Sequence, residues 1–290
     1  MTSFDPELTT EGARSTLRVR RRYDHPVERV WRAVTTPAHL ATWFPSPVEL
    51  DLREGGEIRF TAFDGPAATG RVTAVDEPHR FAFTWGEERF LFELATEGDA
   101  TLFTLTQAFD DRAGAASFAA GWTACLGVLA DVLDERDPRP PGRMIDEHEH
   151  LVTVFGLDKP AVTHEDGHWL AKFERQLTCP AETAWDLFFG GDRAPAVGEE
   201  FRPYAAPSVV LGIVTELDPL NSFAFKAAPD EPGDEVRLRF GTGTGHGARL
   251  ILEVTGTAAD ELAPAVDQWG RGAIEEIARR GAELAKAGTG

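Results

Sequence analysis

Cysteine is nearly missing from this chain. Cys125 and Cys179 stand alone among 290 residues. Two thiols exclude a disulfide framework and make a reducing cytoplasm the expected compartment. Positive charge is also scarce, with 29 Lys and Arg against 48 Asp and Glu and a formal charge of -19. A chain this acidic repels phosphate backbones and anionic membrane surfaces, so no nucleic-acid partner is expected. The surplus reads as a solubilising surface, with a docking face for a basic partner as the alternative. The basic run Arg18, Arg20, Arg21, Arg22 alternates with Leu17, Val19 and Tyr23 and reads as the solvent face of a first strand. No apolar run approaches the roughly 18 residues of a membrane span. The polar opening MTSFDPELTTEGARS lacks the build of a signal peptide, and residues 1–15 read as a flexible leader.

The usual signatures of chemistry are lacking too. There is no G-x-S-x-G elbow. GTGTGHG (241–247) has no Lys-Ser/Thr and runs into RLILEV, so it reads as a hairpin loop and not as a phosphate cradle. His148 and His150 in DEHEH have no third ligand at metal-site spacing. Cys125 lies on a helical stripe and reads as packed, while Cys179, ahead of a helix, is a candidate for a lowered thiol pKa with nothing to pair with. The expectation is no catalytic residue, no metal and no cofactor.

What is present is a folded globular composition, 42% hydrophobic with 10% aromatics. Its length corresponds to about two domains. The most informative stretch is PVERVWRAVTTPAHLATWF, from Pro26 to Phe44. Pro26 suits a first helical position, and Val27, Val30, Trp31 and Val34 follow at one-faced helical spacing. Pro37 ends that helix, and a second short one carries Leu40, Trp43 and Phe44 before Pro45.

Around this stretch the chain reads in order. TLRVRRRYD (16–24) is a strand. After the two helices, VELDLREGGEIRF forms a hairpin about Gly55 and Gly56, and a loop at DGPAATG leads into RVTAVDE. FAFTW, RFLFELAT and TLFTLTQAF follow, together rich in Phe, Leu and Thr and bounded by Gly, Pro or Asp. From Ser117 to Glu135, Phe118, Trp122, Cys125, Leu126, Leu129 and Leu133 fall on one stripe of a long helix that DPRPPG breaks. Strand, two helices, five or six strands and a long helix make an α+β domain over residues 16–137. Residues 138–168 read as a linker with a short helix ending near Gly156, then a loop.

A second domain over residues 169–286 repeats the first. Pro180 and Trp185 answer Pro26 and Trp31, GIVTELDPLNSFAF answers GRVTAVDEPHRFAF, and Leu262, Val266, Trp269, Ala273 and Ile277 mark a closing helix. Between Trp and Gly, however, the copies differ: 39 positions from Trp31 to Gly70, but 27 from Trp185 to Gly212. The second copy lacks the second helix and its Trp-Phe pair.

PVERVWRAVTTPAHLATWF, LREGGEIRF, GRVTAVDEPHRFAFTW and GWTACLGVLADVL, in that order, resemble the activator of heat-shock-protein-90 ATPase homologue-like family of the SRPBCC, or START-like, superfamily. The resemblance covers about residues 16–135, and residues 169–285 look like a divergent second START-like domain. It implies two helix-grip domains, each an antiparallel curved sheet wrapped around a long C-terminal helix. It further implies binding of a small hydrophobic or amphipathic molecule in a cavity between them, mainly in the first domain. The alternatives it implies are a polyketide cyclase or aromatase-like enzyme, and a chaperone cofactor whose partner is a chaperone or another protein. Fold alone decides none of these.

The candidate cavity residues are Trp43, Phe44, Phe60, Phe83, Trp85, Phe92 and Trp122. Apolar walls with few polar groups are what such sites look like. Trp43 and Phe44, between two prolines and off the regular stripe, are expected at the cavity mouth. His39 is a weaker candidate on the same short helix. Arg59 and Arg71 alternate with apolar residues on strands, and pointed inward they would favour the enzyme reading.

Overall fold

The computed structural model describes residues 2–61, 68–138, 142–191, 194–204, 206–245 and 247–288. Parts of the DGPAATG loop, the DPRPPG break and GTGTGHG lie outside them. The chain divides into two units, Met1–His148 and Glu149–Gly290. Both are α+β with one antiparallel sheet each.

In the first unit, β1 (Thr2–Ser3), β2 (Glu7–Glu11) and β3 (Arg14–Tyr23) come before the two helices α1 (Val27–Thr35) and α2 (Pro37–Trp43). Then follow β4 (Val48–Leu50), β5 (Glu57–Phe60), β6 (Ala68–Asp76), β7 (Arg80–Trp85), β8 (Glu88–Glu97) and β9 (Ala100–Phe109). The long helix α3 (Ala115–Leu133) closes the unit, and α4 (Ile145–Val154) begins next. The sheet runs β1-β3-β9-β8-β7-β6-β5-β4, with β2 also on β3. The residues expected as a leader therefore carry strand. Glu7–Glu11 pairs with Arg14–Arg18, and Thr2 and Ser3 pair with Arg22 and Arg21. ELTTE is mostly exposed and has no alternation to betray it.

The basic run of β3 is not a uniform solvent face. Alternation puts Leu17, Val19, Arg21 and Tyr23 on one side, and Arg21 is buried with them at 2% exposure. Its Nη1 donates to the backbone carbonyls of Phe4 and Arg20. Burial lowers its pKa, against the raising influence of Tyr23 and Glu147. Arg18 is exposed as expected.

With its preceding turn, α3 is the one helix among the described residues long and apolar enough to cross a membrane by length and composition. Here Trp122, Leu126 and Leu129 are buried, and Tyr23 Oη donates to Leu126 O from the sheet.

The second unit runs β10 (Ala161–Glu165), β11 (His168–Gln176), α5 (Ala181–Phe189), β12 (Glu200–Phe201), β13 (Gly212–Asp218), β14 (Ser222–Ala227), β15 (Glu235–Thr242) and β16 (Ala248–Gly256). Its sheet order is β10-β11-β16-β15-β14-β13-β12. The loop expected over KPAVTHEDGH contains β10, whose five residues are all exposed. The closing helix is broken into α6 (Leu262–Val266), a π-helical segment (Asp267–Ile274) and α7 (Glu275–Ala287). No helix stands between α5 and β12 among the described residues, where the first unit has α2.

Gly70 and Gly212, at the repeat's matched positions, do the same work. A Cβ on Gly70 would lie 1.7 Å from Thr84 O, and one on Gly212 would lie 2.0 Å from Lys226 O. Only glycine lets these paired strands approach so closely. A buried arginine is matched as well. Arg175 precedes Pro180 by the interval that separates Arg21 from Pro26. It is held by Glu149 and Glu275. Desolvation lowers its pKa, but the two carboxylates outweigh it and the net shift is upward.

Candidate functional site

The inner face of the first sheet, together with α2 and α3, encloses an aromatic cluster. Alternation points Phe60 of β5, Phe81, Phe83 and Trp85 of β7, and Phe90 and Phe92 of β8 to that face. Phe44 is the hub. Its ring centroid lies 5.5 Å from Trp122, 5.7 Å from Trp85, 6.3 Å from Phe60 and 6.4 Å from Phe83. Phe60 and Trp85 stack at 4.1 Å with planes 6° apart. Such ring pairs add about 0.5–1.5 kcal/mol each beyond their burial.

Phe44, Phe60, Phe83 and Phe92, four of the seven candidates, line a wholly apolar void of about 10 Å³. That holds roughly one water. Leu40, Val48, Leu50, Ile58 and Phe81 complete its wall. The aliphatic residues have no aromatic or charged signature, and only the fold brings them here. Trp85 and Trp122 stand behind Phe44 and do not line the void.

Trp43 does not line the void. It is 3% exposed, its Nε1 donates to Ala33 O at 2.9 Å, and its ring meets Phe44 and Phe92. It pins α2 onto α1. The expected pairing of Trp43 with Phe44 thus separates into an anchor and a wall.

One polar chain enters the cluster, and the sequence did not reveal it. Gln107, on the inner face of β9, accepts from Trp122 Nε1 at 2.7 Å through Oε1. Its Nε2 donates to Glu88 Oε2, also at 2.7 Å. Glu88 begins β8 on the face shared by Phe90 and Phe92, directly across from Trp85. Burial raises its carboxyl pKa above the ordinary glutamate range. The Gln107 bond and Arg14 oppose that rise, and Asp111 adds to it.

The other polar candidates stay outside. Arg59 is exposed and bonds Glu57, and Arg71 is exposed on the outer face of β6. His39 is exposed and contacts Arg32 O through Nδ1. His25 Nε2 meets Asp134 Oδ1 at 2.7 Å at the end of α3. His148 and His150 lie two apart on helical α4, hence on different faces. Among the described residues no three His, Cys, Asp or Glu gather as metal ligands. The GTGTGHG stretch joins β15 to its antiparallel neighbour β16, so it is a hairpin connection. Burial pushes both the Cys125 and Cys179 thiols up to about 11, and neither is the activated thiol that Cys179 was a candidate for.

Residues 24–134 match the family described as activator of Hsp90 ATPase homolog 1-like protein. No curated protein matches the chain. Several solved structures are similar to it. A conserved protein of unknown function from Enterococcus faecalis is 20% identical with a TM-score of 0.48, over 52% of this chain and 90% of its own. CalU16 from Micromonospora echinospora is 23% identical with a TM-score of 0.42, over 54% and 97%. The Aha1 dimer from Colwellia psychrerythraea is 20% identical with a TM-score of 0.37, over 41% and 95%.

Proposed function

We propose, on the premise that residues 24–134 form a domain of the activator of Hsp90 ATPase homolog 1-like family, that the first unit binds a small hydrophobic or amphipathic molecule. The observation that carries this reading is the aromatic cluster about Phe44, with an apolar void on one side of that ring. A void of about 10 Å³ admits no such ligand as it stands. Binding therefore displaces a side chain, and Phe44 is the one suited to move. It sits just past α2 in extended backbone, ahead of Pro45. A helix of seven residues has little stability of its own and is held by packing and by the Trp43 bond to Ala33.

The cyclase-like reading loses its support, because Arg59 and Arg71 face solvent. The smallness of the void favours a second reading, a protein-interaction module whose partner is a chaperone or another protein. Two domains over 16–137 and 169–286 remain the proposed division. The free thiols Cys125 and Cys179 agree with a cytoplasmic setting.

Native mass spectrometry of the full chain purified from its source cells tests the reading. An apolar adduct lost on denaturation supports ligand binding. A bare chain that also leaves apolar dyes unbound favours the interaction module.

A further inference from the structure

The Glu88–Gln107–Trp122 chain stands out because the repeat shows that the fold can be built without it. Arg21 pairs with Phe103 and Arg175 with Leu250 in the two sheets, so Gln107 and Val254 occupy the same position. Trp122 follows Gln107 by fifteen residues, and Trp269 follows Val254 by fifteen. In the second unit the acceptor is thus replaced by a methyl-bearing side chain. Trp269 Nε1 is buried without a hydrogen-bond partner. The helix-grip closes with that donor unsatisfied, so satisfying an indole is not what obliges the first unit to carry a glutamine and a carboxylate.

What the first unit gains is a polar group beside its aromatic cluster, on the Trp85 and Trp122 side of Phe44, with the void on the other side of that ring. Glu88 Oε2 is held by Gln107 Nε2, and Gln107 is itself fixed by Trp122. Gln107 is 1% exposed and spends both ends of its amide on this chain. The carboxyl lies across from Trp85, on the same face as Phe90. Within the cluster the rings form a circuit: Trp85 to Phe90 at 6.2 Å, Phe90 to Trp122 at 5.8 Å, Trp122 to Phe44 at 5.5 Å and Phe44 to Trp85 at 5.7 Å. Indole and phenyl faces attract cations, and a half-buried carboxylate beside them strengthens that attraction. The same surroundings repel an anion. Among nearby charges, Arg14 bonds the carbonyl of Glu87 and Asp110, and Arg14 and Asp111 act on Glu88 in opposite directions.

We propose that Glu88, oriented by Gln107, is the polar subsite of the first unit's chamber and selects an apolar ligand that carries a cationic ammonium group. This rests on the chamber reading above and adds the ligand's chemistry to it. The apolar body displaces Phe44, and the ammonium donates to the Glu88 carboxylate beside Trp85.

The test is calorimetric titration of the full chain at pH 7 with three probes of one shape: 2-naphthylmethylamine, 2-methylnaphthalene and 2-naphthoate. The expected result is that the amine binds about tenfold or more tightly than the naphthoate, the scale of one charge-assisted hydrogen bond. Glu88→Gln should abolish that preference. Q107L should weaken the preference, because the carboxylate loses its holder. If 2-methylnaphthalene binds but the amine shows no preference, or if E88Q leaves the preference intact, the inference fails and the chamber reading stands. If none of the three binds, the chamber reading fails and takes the inference with it.

Discussion

Trp122 Nε1 donates to Gln107 Oε1 at 2.7 Å inside the first unit, and this bond joins α3 to the sheet, as the Tyr23 Oη bond to Leu126 O also does. A buried bond of this kind matters mostly through what its loss leaves behind. Gln107→Leu would strand the Trp122 donor and remove the Glu88 partner, so about 1–3 kcal/mol of stability is expected to go. Urea unfolding of the first unit, followed by tryptophan emission, measures it.

Phe44 supports several rings at once, and its removal should leave a cavity. Phe44→Ala is expected to cost about 3–5 kcal/mol. The space should then take up benzene or indole, and saturating ligand should return part of the lost stability. Thermal unfolding with and without benzene reads both effects. A variant as stable as the parent would mean that Phe44 does not hold the cluster together.

The matched glycines make a paired prediction. Gly70→Ala and Gly212→Ala each drive a Cβ against a backbone carbonyl, Thr84 O and Lys226 O. Each should cost about 1–3 kcal/mol or more, the range of overpacking. Thermal melts of the two variants should show comparable losses, one in each unit.

Two carboxyls should shape the acid limb in opposite directions. The hydrogen bond from His25 is the main influence holding the Asp134 pKa below the ordinary aspartate value, although burial opposes it. Its contribution is therefore present above the unfolded value of about 3.9 and lost as pH falls through the folded one. Glu88 is raised, so its contribution is present below the unfolded value of about 4.3 and lost as pH rises through its folded value. Stability measured against pH should change less at the acid end in Asp134→Asn. In E88Q the decline above about pH 4.3 should flatten.

Much of this architecture was legible because its signals are local. Pro26, Trp31 and Val34 define α1 by spacing, and Pro180 with Trp185 repeats it. Gly70 and Gly212 are conspicuous because the FAF that follows each lies at the same distance. The missing second helix showed as a difference in length. The strands β2 and β10 were not legible, since exposed edge strands bury no alternating face. Glu88 and Gln107 were not legible either. They come together only through the register of β8 with β9, and neither residue type announces an inward turn. The Trp43 bond was hidden for a related reason: its indole turns inward to a carbonyl of α1, a choice that helix packing makes and spacing does not.

The most direct measurement uses the indole N–H signals of the seven tryptophans. Each is assigned by single Trp→Phe substitution in heteronuclear NMR spectra of the full chain, then followed during titration with 2-methylnaphthalene. The account predicts that the Trp85 and Trp122 signals shift and saturate, with Trp43 following as Phe44 moves, while Trp169, Trp185 and Trp269 stay in place. Signals that do not move at all, or movement confined to the tryptophans of the second unit, would contradict it.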